Sequence, residues 1–254
     1  MIPIKRPHEI EKMRQAGETA AWILQNLVEM IAPGVTTGEV DHRASQLMSE
    51  AGVKSAFLGY KKFPGHICIG LNEEVVHGIG GSRPIAYGDI VKMDVGIIRD
   101  GWIGDNATSV AVGIIAPETE RLLTVTERIL RGAVELARPG HRVGDISNFV
   151  ETEAVKNGFS VVREFVGHGV GRRLHEDPQI PNFGKRGVGP KLKAGMTLAI
   201  EPMINLGTEK VRILPDKWTA VTADGQPSAH FEHTVLVTDH QPEVLTWPPK
   251  TLSK

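Results

Sequence analysis

The sequence predicts a mixed α/β protein of the α+β kind, assembled from one duplicated unit. Three observations predict it. Two pairs of helical segments are each followed by apolar, β-rich runs, an Asp-Gly pair divides two long β-rich runs, and the punctuation of the first half recurs in the second at a near-constant offset.

Within residues 8–31, Ile10, Met13, Ala20, Leu24, Leu27 and Ile31 recur at spacings near three and four, predicting a helix that Pro33-Gly34 stops. Thr36 and Glu39 then form a capping box opening a second helix, which Gly52 closes. Short β-rich runs follow at Ile67–Leu71 and Val75–Ile79. Asp89–Ile98 and Trp102–Gly113 flank Asp100-Gly101, the favoured dipeptide of a tight hairpin. Further helices are expected at about 117–138, with Pro117 near the first position, and at 145–157. Strands are expected near 160–166, 196–203 and 231–237, with Gly/Pro-rich loops between 167 and 195.

Pro33-Gly34, Gly38, Glu39, Val40 and Gly52 recur as Pro139-Gly140, Gly144, Asp145, Ile146 and Gly158, an offset of 106 throughout. Gly88-Asp-Ile-Val-Lys-Met-Asp94 is echoed by Gly195-Met-Thr-Leu-Ala-Ile-Glu201 at an offset of 107, so an acidic residue ends an apolar strand in both halves. His77-Gly-Ile-Gly80 also has a counterpart in His168-Gly-Val-Gly171. Pro-Gly punctuation alone could follow any helix pair, but the shared offset favours duplication. One catalytic domain over 1–254 is expected, with halves at about 1–115 and 116–254 and a site between them.

Composition narrows the function. The 254 residues are 41% apolar and 23% charged, which excludes disorder, collagen and coiled coil. With 29 basic residues against 30 acidic ones the net charge is -1, giving no electrostatic footprint for nucleic acid or an anionic membrane. Lys61-Lys62 and Arg172-Arg173 read as solvated surface. The single cysteine, Cys68, forbids an internal disulfide and a Cys-based zinc site. There is no leader-like apolar segment and no apolar run of 18 residues, so a cytoplasmic protein is expected.

The hairpin permits a geometric inference. If Asp100 and Gly101 form the turn, Arg99 faces Trp102 and Asp105 pairs with Gly96, on the same face as Asp94. The two carboxylates are then diagonal neighbours with backbones roughly 7–8 Å apart, an unfavourable placement unless a cation lies between them. A solvent face is the rival reading, and the apolar alternation of Met93, Val95 and Ile97 keeps it open. Glu201 and Glu232 each adjoin an apolar strand, and His168 lies in a glycine-dense run where an imidazole can approach a site. Four carboxylates and one imidazole suit a pair of divalent cations with mostly oxygen ligands. No H-E-x-x-H, G-x-S-x-G, P-loop or dinucleotide motif competes.

The ordered set Val-Val-His77-Gly-Ile, Met-Asp94-Val, Gly-Asp105-Asn-Ala-Thr-Ser, Gly-His168-Gly-Val-Gly-Arg, His175-Glu-Asp-Pro, Ile-Glu201-Pro-Met and Phe-Glu232-His-Thr resembles the type I methionine aminopeptidases, from about Ile4 to Val244. His175 and Glu201 are separated by 25 residues, without room for the helical insertion of type II relatives. The resemblance is to bacterial-type members without an N-terminal extension.

It implies the pseudo-two-fold "pita-bread" fold, with a central, mostly antiparallel sheet and flanking helices. It also implies two divalent ions (Mn, Fe, Co or Zn): Asp94 on one, His168 and Glu201 on the other, Asp105 and Glu232 bridging. A metal-bridged hydroxide would attack the scissile carbonyl, with Glu201 shuttling the proton. His175 would donate to the oxyanion and His77 would contact the peptide beyond the scissile bond. Tyr60, Phe63, Cys68, Leu174 and Trp218 match the methionine side-chain pocket, whose apolar, polarizable walls suit a thioether. Leu174, where an aromatic is common, and His230, where an amide is common, depart from the pattern and bear on pocket shape. Asn72 and Ser228 match a monovalent-cation site of some relatives, built mostly from backbone oxygens.

The expected activity is removal of the N-terminal methionine from nascent proteins when the second residue is small. The expected enzyme is a monomer with transient ribosome contact. A proline-specific aminopeptidase or dipeptidase of the same fold is the rival enzyme, although such relatives usually carry an additional domain. A metal-free peptide-binding protein is the rival of another class, and loss of ligands would mark it.

Overall fold

Helix α1 (Pro7–Met30) buries Met13, Ala16, Ala20, Ile23 and Leu27 against a long β-hairpin in the computed structural model, which describes residues 2–247. That hairpin is β4 (Ile90–Arg99) with β5 (Trp102–Ala111); before it come α2 (Thr37–Glu50), β1 (Lys54–Ser55), β2 (Cys68–Leu71) and β3 (Glu74–Val76). The second half repeats two helices, α3 (Pro117–Glu135) and α4 (Val143–Lys156). Ten short strands follow: β6 (Ser160–Val161), β7 (Val166–Gly169), β8 (Glu176–Pro181), β9 (Thr197–Ile200), β10 (Met203–Asn205), β11 (Val211–Ile213), β12 (Ala220–Thr222), β13 (Ser228–His230), β14 (Glu232–Leu236) and β15 (Glu243–Val244).

The central sheet runs β1-β4-β5-β14-β9-β7-β8, with β2 also on β4 and β15 also on β14, and its pairings are antiparallel. Two three-stranded sheets, β13-β10-β6 and β11-β12-β3, flank it. The hairpin register is the expected one: Arg99 faces Trp102, Gly96 faces Asp105 and Asp94 faces Ala107, with Asp100 at φ 51 and Gly101 at φ 77 in the turn. No helix among the described residues is long and apolar enough to cross a membrane.

The sequence echo has counterparts in backbone geometry. Gly34 and Gly140 have φ of 92 and 94, and Gly52 and Gly158 have φ of 67 and 77. A β-carbon on Gly38 would press on the Gly81 carbonyl, and one on Gly144 on the Val188 carbonyl. Thr36 and Arg142, each the residue before its helix, form isolated bridges to Pro84 and Lys191. Apolar side chains gather in two main cores, one mostly from the first half around Leu27, Leu47, Ile69 and Met93, the other around Leu122, Ile146, Leu198 and Val235.

Two sequence expectations fail. The segment between 167 and 195 is not all loop: it carries most of β7 and all of β8, and His168 sits on a strand. The cause is close backbone approach. A β-carbon on Gly167 would overlap the Ala199 carbonyl and one on Gly169 the Asp177 carbonyl, so glycine here permits the pairing that its propensity argues against. The strand expected over 160–166 is likewise split into β6 and the start of β7.

Gly104 shows how tightly α1 lies on the hairpin, since a β-carbon there would overlap the Ala16 carbonyl. Gly104→Ala is expected to lower stability by about 1–3 kcal/mol, the scale of overpacking. Denaturant melts of variant and parent would show an unchanged midpoint if the helix stood off the sheet.

Candidate metal centre and peptide pocket

Five adjacent strands of the sheet each deliver one candidate ligand to the same face. In sheet order, β4 carries Asp94, β5 carries Asp105, β14 opens with Glu232, β9 leads directly into Glu201, and β7 carries His168. Apolar neighbours on these strands fill the cores, and the alternation of side chains puts the carboxylates together on the opposite side.

The cluster is rich in carboxylates and largely buried. Asp105, His168 and Glu232 are 3%, 6% and 2% exposed. Asp94 Oδ1, Asp105 Oδ1 and Glu232 Oε1 are buried without a hydrogen-bond partner. Burial, reinforced by the neighbouring carboxylates, pushes Asp94, Glu201 and Glu232 well above the usual carboxylate range, and burial pushes Asp105 up to about 7. Burial pulls His168 down to about 3, so its imidazole is neutral. His168 Nδ1 donates to the Gly169 carbonyl at 2.9 Å, leaving Nε2 to face Glu201 Oε1 at 3.5 Å and Asp105 Oδ2 at 3.9 Å. A neutral imidazole oriented by its own backbone bond is a metal-ligand arrangement. Asp105, His168 and Glu232, and separately Glu201, His230 and Glu232, present donor atoms all within 4.8 Å of one another. Orphaned anionic oxygens in that array fit divalent cations, which would satisfy them and reverse the upward pKa shifts.

A cavity of about 330 Å³ is lined by Asp94, Asp105, His168, Glu201 and Glu232 together with Tyr60, Phe63, Cys68, Leu174 and Trp218. Phe63 meets Trp218 edge-on with centroids 5.1 Å apart. His77 and His175 also line it. His77 has φ 60, a left-handed conformation unusual for a residue with a β-carbon, and its ring stands edge-on to Phe165 at 5.0 Å. Burial lowers His77 to about 4. His175 stands at the rim, its ring 4.3 Å from that of His168. Burial, then the nearby Lys61, lowers its pKa. The five proposed metal ligands, His77, His175 and the five proposed pocket residues thus line one cavity.

The profile of metallopeptidase family M24 matches residues 11–239. A methionine aminopeptidase of Clostridium perfringens is 46% identical over 246 residues, covering 97% of this chain and 99% of its own. The chain belongs to the methionine aminopeptidases of family M24. The crystal structure of the Thermotoga maritima methionine aminopeptidase superposes with a TM-score of 0.95 at 45% identity, covering 97% and 99% of the two chains. The prolidase of Pyrococcus horikoshii shares the fold, with a TM-score of 0.79 at 22% identity, and this chain covers only 65% of it.

Two features of this methionine aminopeptidase site were not read from the sequence in their present role. His230, expected to affect the pocket, instead sits 2% exposed with Nε2 3.5 Å from Glu201 Oε2, on the metal side. No local pattern signalled this, because the contact joins residues 29 apart in the chain. Tyr60, taken as a pocket wall, also shares a 2.7 Å hydrogen bond between its hydroxyl and His175 Nδ1. Phe57 and Phe165 also line the cavity and carried no motif, and Val76 lines it beside His77. The Asn72 and Ser228 carbonyls, expected beside a monovalent cation, accept hydrogen bonds from Lys92 Nζ at 2.8 Å and 3.0 Å.

Proposed function

We propose that this chain hydrolyses the peptide bond after an N-terminal methionine when the second residue is small, from one catalytic domain whose halves, about 1–115 and 116–254, meet at the site. The observation that carries this reading is one cavity lined both by Asp94, Asp105, His168, Glu201 and Glu232 and by apolar and aromatic side chains. Such a pocket desolvates a thioether chain, while the cluster lies where the following carbonyl would be presented.

Asp94, Asp105, His168, Glu201 and Glu232 would hold two divalent ions, drawn from Mn, Fe, Co or Zn by an oxygen-rich set with few imidazoles. When bound, such ions activate water and polarise the scissile carbonyl. The protein's residues supply the rest. Glu201, whose two oxygens face His168 and His230, receives the proton released from the attacking water and returns it to the leaving amine. In the tautomer whose Nδ1 accepts from the Tyr60 hydroxyl, His175 carries its proton on Nε2, ready to donate to the oxyanion of the tetrahedral intermediate. His77, neutral and braced against Phe165, contacts the peptide beyond the scissile bond. Phe63, Cys68, Leu174 and Trp218 take the methionine side chain. Nascent chains reached through transient ribosome contact, by a cytoplasmic monomer, are the inferred substrates.

Competition between peptides tests the reading. Met-Ala-Ser is expected to be cleaved about 10²-fold faster than Met-Lys-Ser, because seating a lysine ammonium beside the cluster costs on the order of 2.7 kcal/mol in desolvation and misfit. A preference for Xaa-Pro peptides would move the assignment to the proline-specific enzymes of the same fold.

A further inference from the structure

Behind the cluster lies one buried cation that takes no part in the chemistry above. Lys92 is 4% exposed and sits on β4 two residues before Asp94, on the same face of the strand. Its ammonium donates to two carbonyl oxygens from distant segments, those of Asn72 and Ser228. Both segments are fixed. Asn72, at φ 46 in the turn between β2 and β3, donates from Nδ2 to Asp89 Oδ1 at 2.8 Å and accepts from the Ile90 N–H at 3.0 Å. The Ser228 N–H donates to the Asn72 carbonyl at 3.0 Å.

A second fastening lies beside the first. Ser109 faces Lys92 across the hairpin, and its hydroxyl donates to the His230 carbonyl at 2.7 Å and accepts from the His230 N–H at 3.0 Å. The hairpin carrying Asp94 and Asp105 is therefore tied to the strand leading into Glu232 at two neighbouring points. Each lies two residues from a proposed ligand: Lys92 from Asp94, and His230 from Glu232.

We propose that the Lys92 ammonium is a tethered monovalent cation, a positioning residue that fixes the spacing between Asp94 on the hairpin and Glu232 on the second half. Buried carbonyl oxygens converging on one point are acceptors for a hard cation. Here the cation is covalently part of β4, so it cannot dissociate and needs no potassium or sodium from solution. The functional consequence rests on the ligand assignment proposed above; the cation-binding claim does not, because it is tested first on metal-free protein.

The experiment compares wild type with Lys92→Ala, chelated, melted in choline chloride and in potassium or ammonium chloride at equal ionic strength. Lys92→Ala should melt lower in choline and regain about 3 °C or more as potassium or ammonium saturates the vacated carbonyls. Wild type should be indifferent to the cation. On reloading with Mn(II) in choline, the variant should need about 10-fold more metal for half-maximal activity, the scale of losing an outer-shell partner, and potassium should restore it. A saturable potassium effect on wild type, or none on Lys92→Ala, overturns the proposal. Lys92→Gln keeps a neutral donor and covers the case in which the alanine variant does not fold. If Lys92→Gln melts like wild type and ignores potassium, hydrogen bonding suffices and the cation role is refuted.

Discussion

His168→Ala should yield a folded protein that has lost metal and activity together. The ring offers Nε2 to the cluster while Nδ1 is spent on the Gly169 carbonyl, so no water or neighbouring side chain reproduces both bonds. Removing an outer hydrogen-bond partner of a ligand typically costs about 10–100-fold in metal affinity or activity, and loss of a direct ligand should exceed that range. Equilibrium dialysis with Mn(II) or Co(II), run beside peptide cleavage, reads both quantities. The metal-free variant should melt close to metal-free wild type, because the deleted imidazole is neutral and hydrogen-bonds to the adjacent residue. Wild-type metal content in His168→Ala would remove it from the ligand set and leave the four carboxylates as the centre.

The legibility of this site in the sequence has a physical basis. Period-two alternation and a two-residue turn fix a hairpin register completely, so placing Asp94 and Asp105 on one face required only the Asp100-Gly101 dipeptide. The observed pairing of Gly96 with Asp105 follows from it. The duplication was legible because positive-φ glycines are demanded by backbone geometry, and Gly34, Gly52, Gly140 and Gly158 all have that geometry. The second half was harder. β7 and β8 are short, glycine-rich and close-packed, and propensity counts their glycines as loop. Nor does periodicity say which of five separate strands lie side by side. The order β4-β5-β14-β9-β7 that assembles the centre is a tertiary fact. Before the structure, those residues were joined by their ligand chemistry and by the resemblance, not by any strand order. The roles of Lys92, His230 and the Tyr60 hydroxyl depend on contacts between segments far apart in the chain, which no local pattern encodes.

His175→Ala separates catalysis from ligation. His175 lies outside the five proposed ligands, at the rim, with its Nδ1 engaged by the Tyr60 hydroxyl. Its removal should leave metal stoichiometry near that of wild type. The loss falls on a donor aimed at charge that develops only in the transition state, typically about 10²–10³ in kcat, or roughly 2.7–4 kcal/mol. KM should change little, because the ground-state peptide makes no comparable demand on that proton. Tyr60→Phe supplies the control: it keeps the ring beside His175 but removes the hydroxyl that selects the tautomer, so its kcat should fall by less and in the same direction. Metal loss in His175→Ala would place the imidazole among the ligands. Unchanged kcat with full metal occupancy would mean that the oxyanion is stabilised without His175, and that Tyr60 serves the methionine pocket alone.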